Sequence, residues 1–169
     1  MDFKALRHIG YGMYIISSHI EEKHNGQIAN TVFQITSDPV LIGISINKRN
    51  LTHEYITSSK QFSISVININ ADFKFIGKFG FRSGREIDKF KDIHYKTTPS
   101  GVPVVLEKIS SWIECNVIDS VDCGTHTLFL GEASNSETLD DTKPMTYDYY
   151  HNVIKGKSPK TAPTYISDM

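Results

Sequence analysis

Apolar and polar residues alternate in several short stretches of the chain, a pattern that predicts strands with one buried face. The clearest case runs from Val40 to Asn47, where Val40, Ile42, Ile44 and Ile46 share one face. The opposite face turns small and polar toward Asn47, which leaves space for a ligand beside the strand. The same reasoning predicts further strands over residues 11–17, 27–36, 62–69, 109–120 and 125–133.

Turn residues separate these strands. Asn25-Gly26 is the strongest two-residue hairpin signal, and it predicts a turn between the first strand and a returning strand over 27–36. Asp38-Pro39 predicts the turn that precedes the strand at residue 40. Strands at such short intervals leave room only for short connections.

Two short helices are predicted between the strands. Asn50 or Thr52 is a suitable N-cap for a helix that runs to about Ser59. A second helix is predicted over residues 71–79, where the aromatic and aliphatic side chains share one side. Several strands with short helical insertions favour a mainly β fold, built as a closed barrel.

The bulk properties describe one ordinary globular domain over residues 1–169. The chain has 39% hydrophobic and 22% charged residues, a formal net charge of -1 and a pI of about 6.6. This balance argues against nucleic-acid binding, which needs a basic surface. We expect a cytoplasmic protein without a membrane partner, because no apolar run approaches the ~20 residues of a span and no signal peptide is evident.

The ends of the chain and its cysteines add two expectations. Residues 155–169 form the C-terminal tail, whose first nine residues combine Gly, Ser, Pro and Lys and predict an extended segment that is mobile unless a partner orders it. Cys115 and Cys123 form neither a C-x-x-C pair nor part of a zinc pattern, so no metal site is expected.

The chain has no G-x-S-x-G, P-loop, H-E-x-x-H or G-x-G-x-x-G motif, which argues against a hydrolase or a Rossmann domain. Scattered acids and histidines that meet only in the fold stay an alternative. The positive signal is the segment 47–52, Asn-Lys-Arg-Asn-Leu-Thr, which ends a strand and begins a helix. Backbone N–H groups, a hydroxyl and two cations at a helix N-terminus suit a phosphate. The alternative is an ordinary polar connection with a capping residue.

Two further segments could contact a flat heteroaromatic ligand. Residues 30–34 interleave polar and apolar side chains on a strand expected beside Val40–Asn47, and they could bond the edge of a ring or form a plain solvated face. Residues 78–84 place aromatics beside glycine and arginine, which could stack on a ring, hold a phosphate or anchor a loop to the core.

Taken in order, these segments resemble the flavin reductase-like family, whose members carry an FMN-binding split barrel. The resemblance rests on the segments 11–17, 30–39, 60–66, 83–90 with its Ser-Gly and Asp-Lys-Phe elements, and 123–132. Thr125 stands before His126 where many members have Asp. Segments 124–129 and 144–165 are also similar to the flavin domain of high-molecular-weight rubredoxins. This chain lacks the iron-binding cysteines of rubredoxin, so rubredoxin would be a separate partner.

The resemblance implies a mainly β, Greek-key-like split barrel with short helices that forms a homodimer, with flavin sites near the interface. It assigns the isoalloxazine contacts to Asn30, Thr31, Val32 and Gln34. It assigns the ribityl chain and phosphate to Ser45, Asn47, Lys48, Asn50 and Thr52. Phe79, Phe81 and Ser83 would close the site, from the same or a second subunit, and His126 would lie near the nicotinamide as the only candidate catalytic side chain.

The resemblance therefore implies an FMN-dependent oxidoreductase, with FAD a less favoured cofactor and NADH or NADPH as electron donor. The acceptor would be rubredoxin, another electron-transfer protein, free flavin or a ferric chelate. One alternative is a non-enzymatic FMN electron carrier reduced by another protein. A second alternative, from another class, is a cofactor-free barrel that acts as an interaction module.

Overall fold

The computed structural model of the chain describes residues 1–165, apart from the side chains of residues 3, 4 and 7. It is mainly β with short helices, which confirms the predicted fold class. The nine strands are β1 (Tyr14–Ile20), β2 (Lys23–Ala29), β3 (Val32–Ser37), β4 (Val40–Asn47), β5 (Gln61–Ile67), β6 (Tyr95–Thr97), β7 (Pro103–Val105), β8 (Ile109–Cys123) and β9 (His126–Thr138). The helices are a 3-10 helix (Phe3–His8), α1 (Leu51–Ser59), α2 (Phe73–Gly80) and α3 (Tyr147–Asn152).

Seven of these strands form one antiparallel sheet in the order β2-β1-β5-β8-β9-β4-β3. Its two edge strands, β2 and β3, are consecutive in the chain and are joined only by Asn30 and Thr31. A flat sheet would hold these edges roughly 29 Å apart at the usual strand spacing, whereas the link between them spans roughly 11 Å. The sheet must therefore curl until its edges approach at that end.

The core has two parts that match the predicted apolar faces. One lies inside the curled sheet, where Ile42, Ile44 and Ile46 of β4 pack with Ile56 of α1 and Phe62 of β5. The other lies between the sheet and the remaining helices, and it includes Met13, Ile76, Phe79, Phe90, Trp112 and Tyr150. The apolar face predicted for residues 40–47 is confirmed for its three isoleucines, which are at most 4% exposed, but not for Val40, which is 40% exposed.

The predicted Asn25-Gly26 turn is wrong. The hairpin turns at Glu21 and Glu22, and Asn25 and Gly26 lie within β2, where Gly26 pairs with Ser17. A Cβ on residue 26 would lie 2.9 Å from the Ser17 hydroxyl and 3.3 Å from the Phe79 ring. Glycine is therefore required here for the close packing of α2 on the strand, and its turn propensity is not used.

Other boundaries also differ from the prediction. Residues 27–36 are two strands, because the chain leaves β2 at Ala29 and begins β3 at Val32 on the far edge of the sheet. Asn50 is the N-cap of α1, and Thr52 lies in its first turn. The last two long strands continue to Cys123 and Thr138, beyond the alternation that predicted them.

The C-terminal segment, predicted to be extended, contacts the rest of the domain in this structure. After α3, which was not predicted, residues 157–163 return to the barrel and line a cavity with the helices and β2. Residues 166–169 of the predicted tail lie outside the described part of the chain. Within residues 1–165, none of the helices has the length and apolar character that crossing a membrane requires.

Candidate functional site

A cavity of about 290 Å³ lies between β2, the end of β4, the start of α1, the loop after α2 and the C-terminal segment. This volume is at the lower edge of the range for small-molecule sites, ~300–1,000 Å³. Apolar side chains such as Met13, Ile28 and Phe79 form part of the wall, and amides and hydroxyls form the rest. The cavity suits a ligand with both a flat apolar part and a polar part.

The charges that line the cavity are all positive. Arg49, Arg82, Lys89 and Lys157 line it, and no Asp or Glu does so among the described residues. The chain as a whole has a net charge of -1, so this concentration of cations is local. An acid-free wall with four cations favours an anionic ligand.

One end of the cavity is built at the N-terminus of α1. The Asn50 side chain makes no capping hydrogen bond, so the first N–H groups of the helix are not satisfied by their N-cap. Thr52 is 1% exposed, and its hydroxyl accepts a hydrogen bond of 2.8 Å from the amide of Asn25. A Cβ on Gly84 would lie 2.0 Å from Asn25 Oδ1, so the loop after α2 can approach only because residue 84 is glycine.

Lys89 contributes a buried cation to the cavity wall. It is 5% exposed, and its ammonium donates hydrogen bonds of 2.9 Å to the main-chain oxygens of Gly26 and Phe79. Within residues 1–165 it forms no ion pair, and burial lowers the pKa of Lys89 to about 8. An ammonium carries three N–H donors, so one donor remains for an anionic ligand.

Uncharged polar side chains also line the cavity. Asn30 follows β2, and Ser45 and Asn47 lie near the end of β4. Asn30 and Asn47 are 4% and 8% exposed. Their amides place N–H donors where a ring with carbonyl oxygens and ring nitrogens could accept them.

Residues 157–164, here named the strap, lie against Asn30 and Asn47. The strap is anchored to the end of β2 by Asn30 Nδ2, which donates to Thr164 Oγ1 over 2.8 Å. It is anchored to β4 by Asn47 Nδ2, 3.4 Å from the main-chain oxygen of Thr161. At its start, the Tyr150 hydroxyl donates to the Lys157 oxygen over 3.2 Å, and the hydroxyls of Tyr147 and Ser158 are hydrogen-bonded.

The structure brings most of the predicted cofactor contacts together. Eight of them line the one cavity: Asn30, Ser45, Asn47, Asn50, Thr52, Phe79, Phe81 and Ser83. Phe79, Phe81 and Ser83 do so from the same chain as the other five. The ordered resemblance thus collected residues from four separate segments that local pattern alone could not have joined.

Four predicted contacts lie outside the cavity lining: Thr31, Val32, Gln34 and Lys48. The Lys48 ammonium instead pairs with the Asp122 carboxylate over 2.5 Å. The Gln34 side chain is exposed on β3 and donates to the Thr36 oxygen over 3.1 Å. Val32 packs against the apolar core inside the sheet, and Thr31 donates to Asn30 Oδ1 over 3.2 Å.

His126, the predicted nicotinamide-side residue, also lies outside the lining but contacts the strap. Its Nε2 is 3.3 Å from the main-chain oxygen of Thr161, and its Nδ1 is 2.8 Å from Thr125 Oγ1. A carbonyl oxygen can only accept, so the proton of a neutral His126 is assigned to Nε2. The strap thus lies between His126 and the cavity.

Several lining residues were not predicted from the sequence. The wrong turn at Asn25-Gly26 gave no reason to expect Gln27 beside a cavity. Arg49 was predicted only as one of two cations in the segment 47–52. Lys89 lies in the Asp-Lys-Phe element that supported the resemblance, but its residue type alone gave no reason to expect burial. The aromatic pair Tyr147 and Tyr150 and the strap carry no local motif that predicts a return to the barrel.

The fold is a curled antiparallel sheet, and among the described residues the charged side chains that line its cavity are all cationic. A model of the flavin reductase like domain matches residues 6–156. The chain therefore belongs to the flavin reductase-like family. The match ends one residue before the strap begins.

Individual relatives cover nearly all of the chain. It is 48% identical over 165 residues to high molecular weight rubredoxin from Moorella thermoacetica, which covers 98% of this chain and 72% of that protein. It is 46% identical over 166 residues to ferric-chelate reductase (NAD(P)H) from Archaeoglobus fulgidus, covering 98% of both. The crystal structure of FMN-binding protein from Thermus thermophilus superposes with a TM-score of 0.75 at 25% identity, covering 83% of this chain and 82% of that one.

Proposed function

We propose that the protein binds FMN in the cavity and uses it to pass electrons from NADH or NADPH to an acceptor. The observation that carries this proposal is the acid-free wall with Arg49, Arg82, Lys89 and Lys157. Those cations suit a phosphate-bearing cofactor, and the family supplies the identity of that cofactor as a flavin. The relative named ferric-chelate reductase (NAD(P)H) supports the nicotinamide as donor.

The two ends of the cavity give the cofactor a direction. Its phosphate lies at the α1 N-terminus beside Arg49 and Lys89, where N–H groups and cations are concentrated. Its ring lies beside Asn30 and the strap, away from the α1 N-terminus. The N–H groups at the start of α1 match a single phosphate, which favours FMN over FAD.

When bound, the flavin supplies a ring that accepts a hydride from a nicotinamide and passes electrons onward. The chain's task is to hold and polarise that ring. The amides of Asn30 and Asn47 offer N–H donors that stabilise negative charge in a buried setting. The strap excludes water from the part of the cavity beside Asn30 and Asn47. Movement of the strap would open the side on which His126 lies. No side-chain nucleophile is required.

The acceptor is proposed from the relatives. One relative is a high molecular weight rubredoxin and another is a ferric-chelate reductase, so a rubredoxin and a ferric chelate are the acceptors to test first, with free flavin third. A second function remains a candidate on one observation: the strap covers the His126 side of the cavity. An FMN carrier that is reduced by another protein, without admitting a nicotinamide, would have such a cover.

We also propose that the curled sheet is a split barrel and that two chains form a homodimer. The outer face of β3 and the β8–β9 hairpin exposes large apolar side chains, with Phe33, Ile118 and Val121 exposed by 46%, 52% and 48%. Phe33 and Val121 lie on strands that are joined through β4 and β9 in one sheet. A second copy on this face would bury them and protect the sheet edge at β3.

The test of the proposed function is spectroscopic. The purified protein is reconstituted with FMN, freed of unbound flavin, and mixed without oxygen with NADH and then NADPH. Bleaching of the flavin band near ~450 nm by either nicotinamide, followed by reoxidation by rubredoxin or a ferric chelate, is the expected result. Bleaching only by a protein donor would favour the carrier. Failure to bind FMN would refute both functions.

A further inference from the structure

Strand β2 runs along the cavity from the α1 N-terminus toward the strap. Asn25 bonds Thr52 beside the α1 N-terminus, and Asn30, just past the strand, bonds the strap. Strand residues are spaced by ~3.3 Å, so the two asparagines are roughly 16 Å apart along the strand. Gln27 lines the cavity between them.

The side-chain oxygen of Gln27 is buried and has no hydrogen-bond partner among the described residues. A carbonyl oxygen hidden from water without a donor destabilises the fold, and such atoms are rare in native proteins. Ser17 Oγ is also buried without a partner, but Ser17 does not line the cavity. Of these two atoms, only the oxygen of Gln27 belongs to a residue that a ligand in the cavity could reach.

The missing partner must be a hydrogen-bond donor, because the amide oxygen only accepts. A phosphate at the Arg49 end cannot serve, since its ionised oxygens are acceptors. The ring is proposed to lie beside Asn30, three residues or roughly 10 Å further along the chain than Gln27. What lies between a flavin ring and its phosphate is a chain of hydroxyl groups, and a hydroxyl both donates and accepts.

On the proposed function, we infer that Gln27 accepts a hydrogen bond from a hydroxyl of the flavin's polyol chain. Gln27 is then a positioning and specificity residue, selecting ligands whose ring and phosphate are joined by a hydroxylated linker. The role requires the Gln27 side chain to turn toward the cavity, because the residue lines the cavity while its oxygen is hidden from water in this structure.

The experiment compares three ligands that differ in one part each. Lumiflavin has the ring alone, riboflavin adds the polyol chain, and FMN adds the phosphate. Dissociation constants are measured by fluorescence for the wild type and for Gln27→Met, which keeps the length of the side chain and removes the amide. We expect riboflavin and FMN to bind about tenfold more weakly to Gln27→Met, with lumiflavin unchanged.

The control variant is Gln61→Met. Gln61 lies on β5, away from the cavity lining, and its amide bonds His19 and Asn116. It should leave the affinities of all three flavins unchanged. A second readout is the thermal unfolding temperature of the flavin-free proteins. Gln27→Met should not lower it, because the variant removes a buried acceptor that has no partner.

The outcomes separate this inference from the function on which it rests. If riboflavin and FMN bind equally well to both proteins, Gln27 does not contact the polyol chain. If lumiflavin weakens as much as riboflavin, Gln27 does not act through the polyol chain. If the flavin-free variant unfolds at a clearly lower temperature, the role of Gln27 is structural. If the wild type binds no flavin, the proposed function fails, and the inference fails with it.

Discussion

The Nε2 atom of His126 and the main-chain oxygen of Thr161 are 3.3 Å apart, which joins the first residue of β9 to the strap. The same oxygen also accepts from the amide of Asn47. Residues predicted to contact flavin and nicotinamide therefore hold a segment of their own chain. This relationship makes the strap a cover whose strength should control how long a flavin stays bound.

Loosening the strap should release bound flavin several-fold faster. The double variant Ser158→Ala, Thr164→Val removes the hydroxyls that bond Tyr147 and Asn30, while leaving the cavity wall otherwise intact. Loss of two hydrogen bonds of ~1 kcal/mol each favours the open strap. The measurement is the rate at which flavin fluorescence appears after dilution of the FMN-loaded protein.

The control for that experiment is the double variant Ser136→Ala, Thr138→Val at the exposed end of β9. It makes the same chemical changes far from the strap and should leave the release rate unchanged. Equal release rates in the strap variant, the control and the wild type would mean that the strap does not retain the flavin.

Two neighbouring cations should contribute unequally to FMN binding. Arg49 lines the cavity, whereas Lys48 pairs with Asp122 on the surface. Arg49→Met should therefore weaken FMN binding by about 1–3 kcal/mol, the range for a hydrogen bond to a charged group, and Lys48→Met by less than about 0.5 kcal/mol. Calorimetric titration with FMN measures the loss of binding free energy in each variant.

Riboflavin tests whether Arg49 acts on the phosphate. It lacks the phosphate, so its affinity should be the same for the wild type and Arg49→Met. A larger loss from Lys48→Met than from Arg49→Met would restore the sequence-based assignment of Lys48 to the phosphate.

Lys48 and Arg49 differ in a way that the sequence alone does not predict. The alternation along β4 predicted the strand because burial of one face fixes every second side chain. It also predicted a basic connection to α1 that could bind an anion. Which of two adjacent cations faces the cavity depends on the partner that Lys48 finds on β8, at Asp122, and no local pattern contains that contact.

The same limit applies to β2 and the strap. The Asn25-Gly26 pair predicts a turn, because the local sequence does not distinguish a turn glycine from a glycine required by packing against Phe79. The strap is held by polar contacts such as Asn30 with Thr164, 134 residues apart in the chain. Its composition predicted only an irregular segment, and its place on the cavity follows from tertiary contacts.

The affinity for FMN should fall as the pH rises above about 8. Burial lowers the pKa of Lys89 to about 8 from 10.5, and a bound phosphate favours the charged ammonium. Binding then takes up a proton above pH 8, so affinity decreases by up to about tenfold per pH unit until the pKa in the complex is reached. The phosphate itself titrates near ~6 and adds little in this range.

Titrations with FMN between pH 7 and 10 check this expectation, with Lys89→Met as the comparison. The variant should bind more weakly at pH 7 and lose the dependence on pH. In the flavin-free wild type, the free energy of unfolding depends on pH with the opposite sign to the affinity for FMN. The unfolded chain keeps the lysine proton up to its ordinary pKa, so the free energy of unfolding should rise between about pH 8 and pH 10.5. A flat FMN profile in the wild type would remove Lys89 from the phosphate site.

The apolar outer face of the sheet should decide the oligomeric state. The exposed ring of Phe33 lies across Gly43, where a Cβ would be 2.7 Å from the ring. In the strand register, Gly43 pairs with Leu130, and Val121 pairs with Leu128, so these apolar residues form a strip across four strands. Phe33→Gln places a polar group within the strip and should convert the proposed dimer to a monomer, measured as molar mass by light scattering.

Phe73→Gln is the matched control for this prediction. Phe73 is 52% exposed, against 46% for Phe33, but it lies on α2 and contacts Phe81 beside the cavity. Loss of apolar area is therefore similar in the two variants, and only the face differs. If Phe73→Gln alone lowers the molar mass, the dimer forms through the helical side. If the wild type is already monomeric, the strip has another partner, and a rubredoxin is then the first to test because one relative is a high molecular weight rubredoxin.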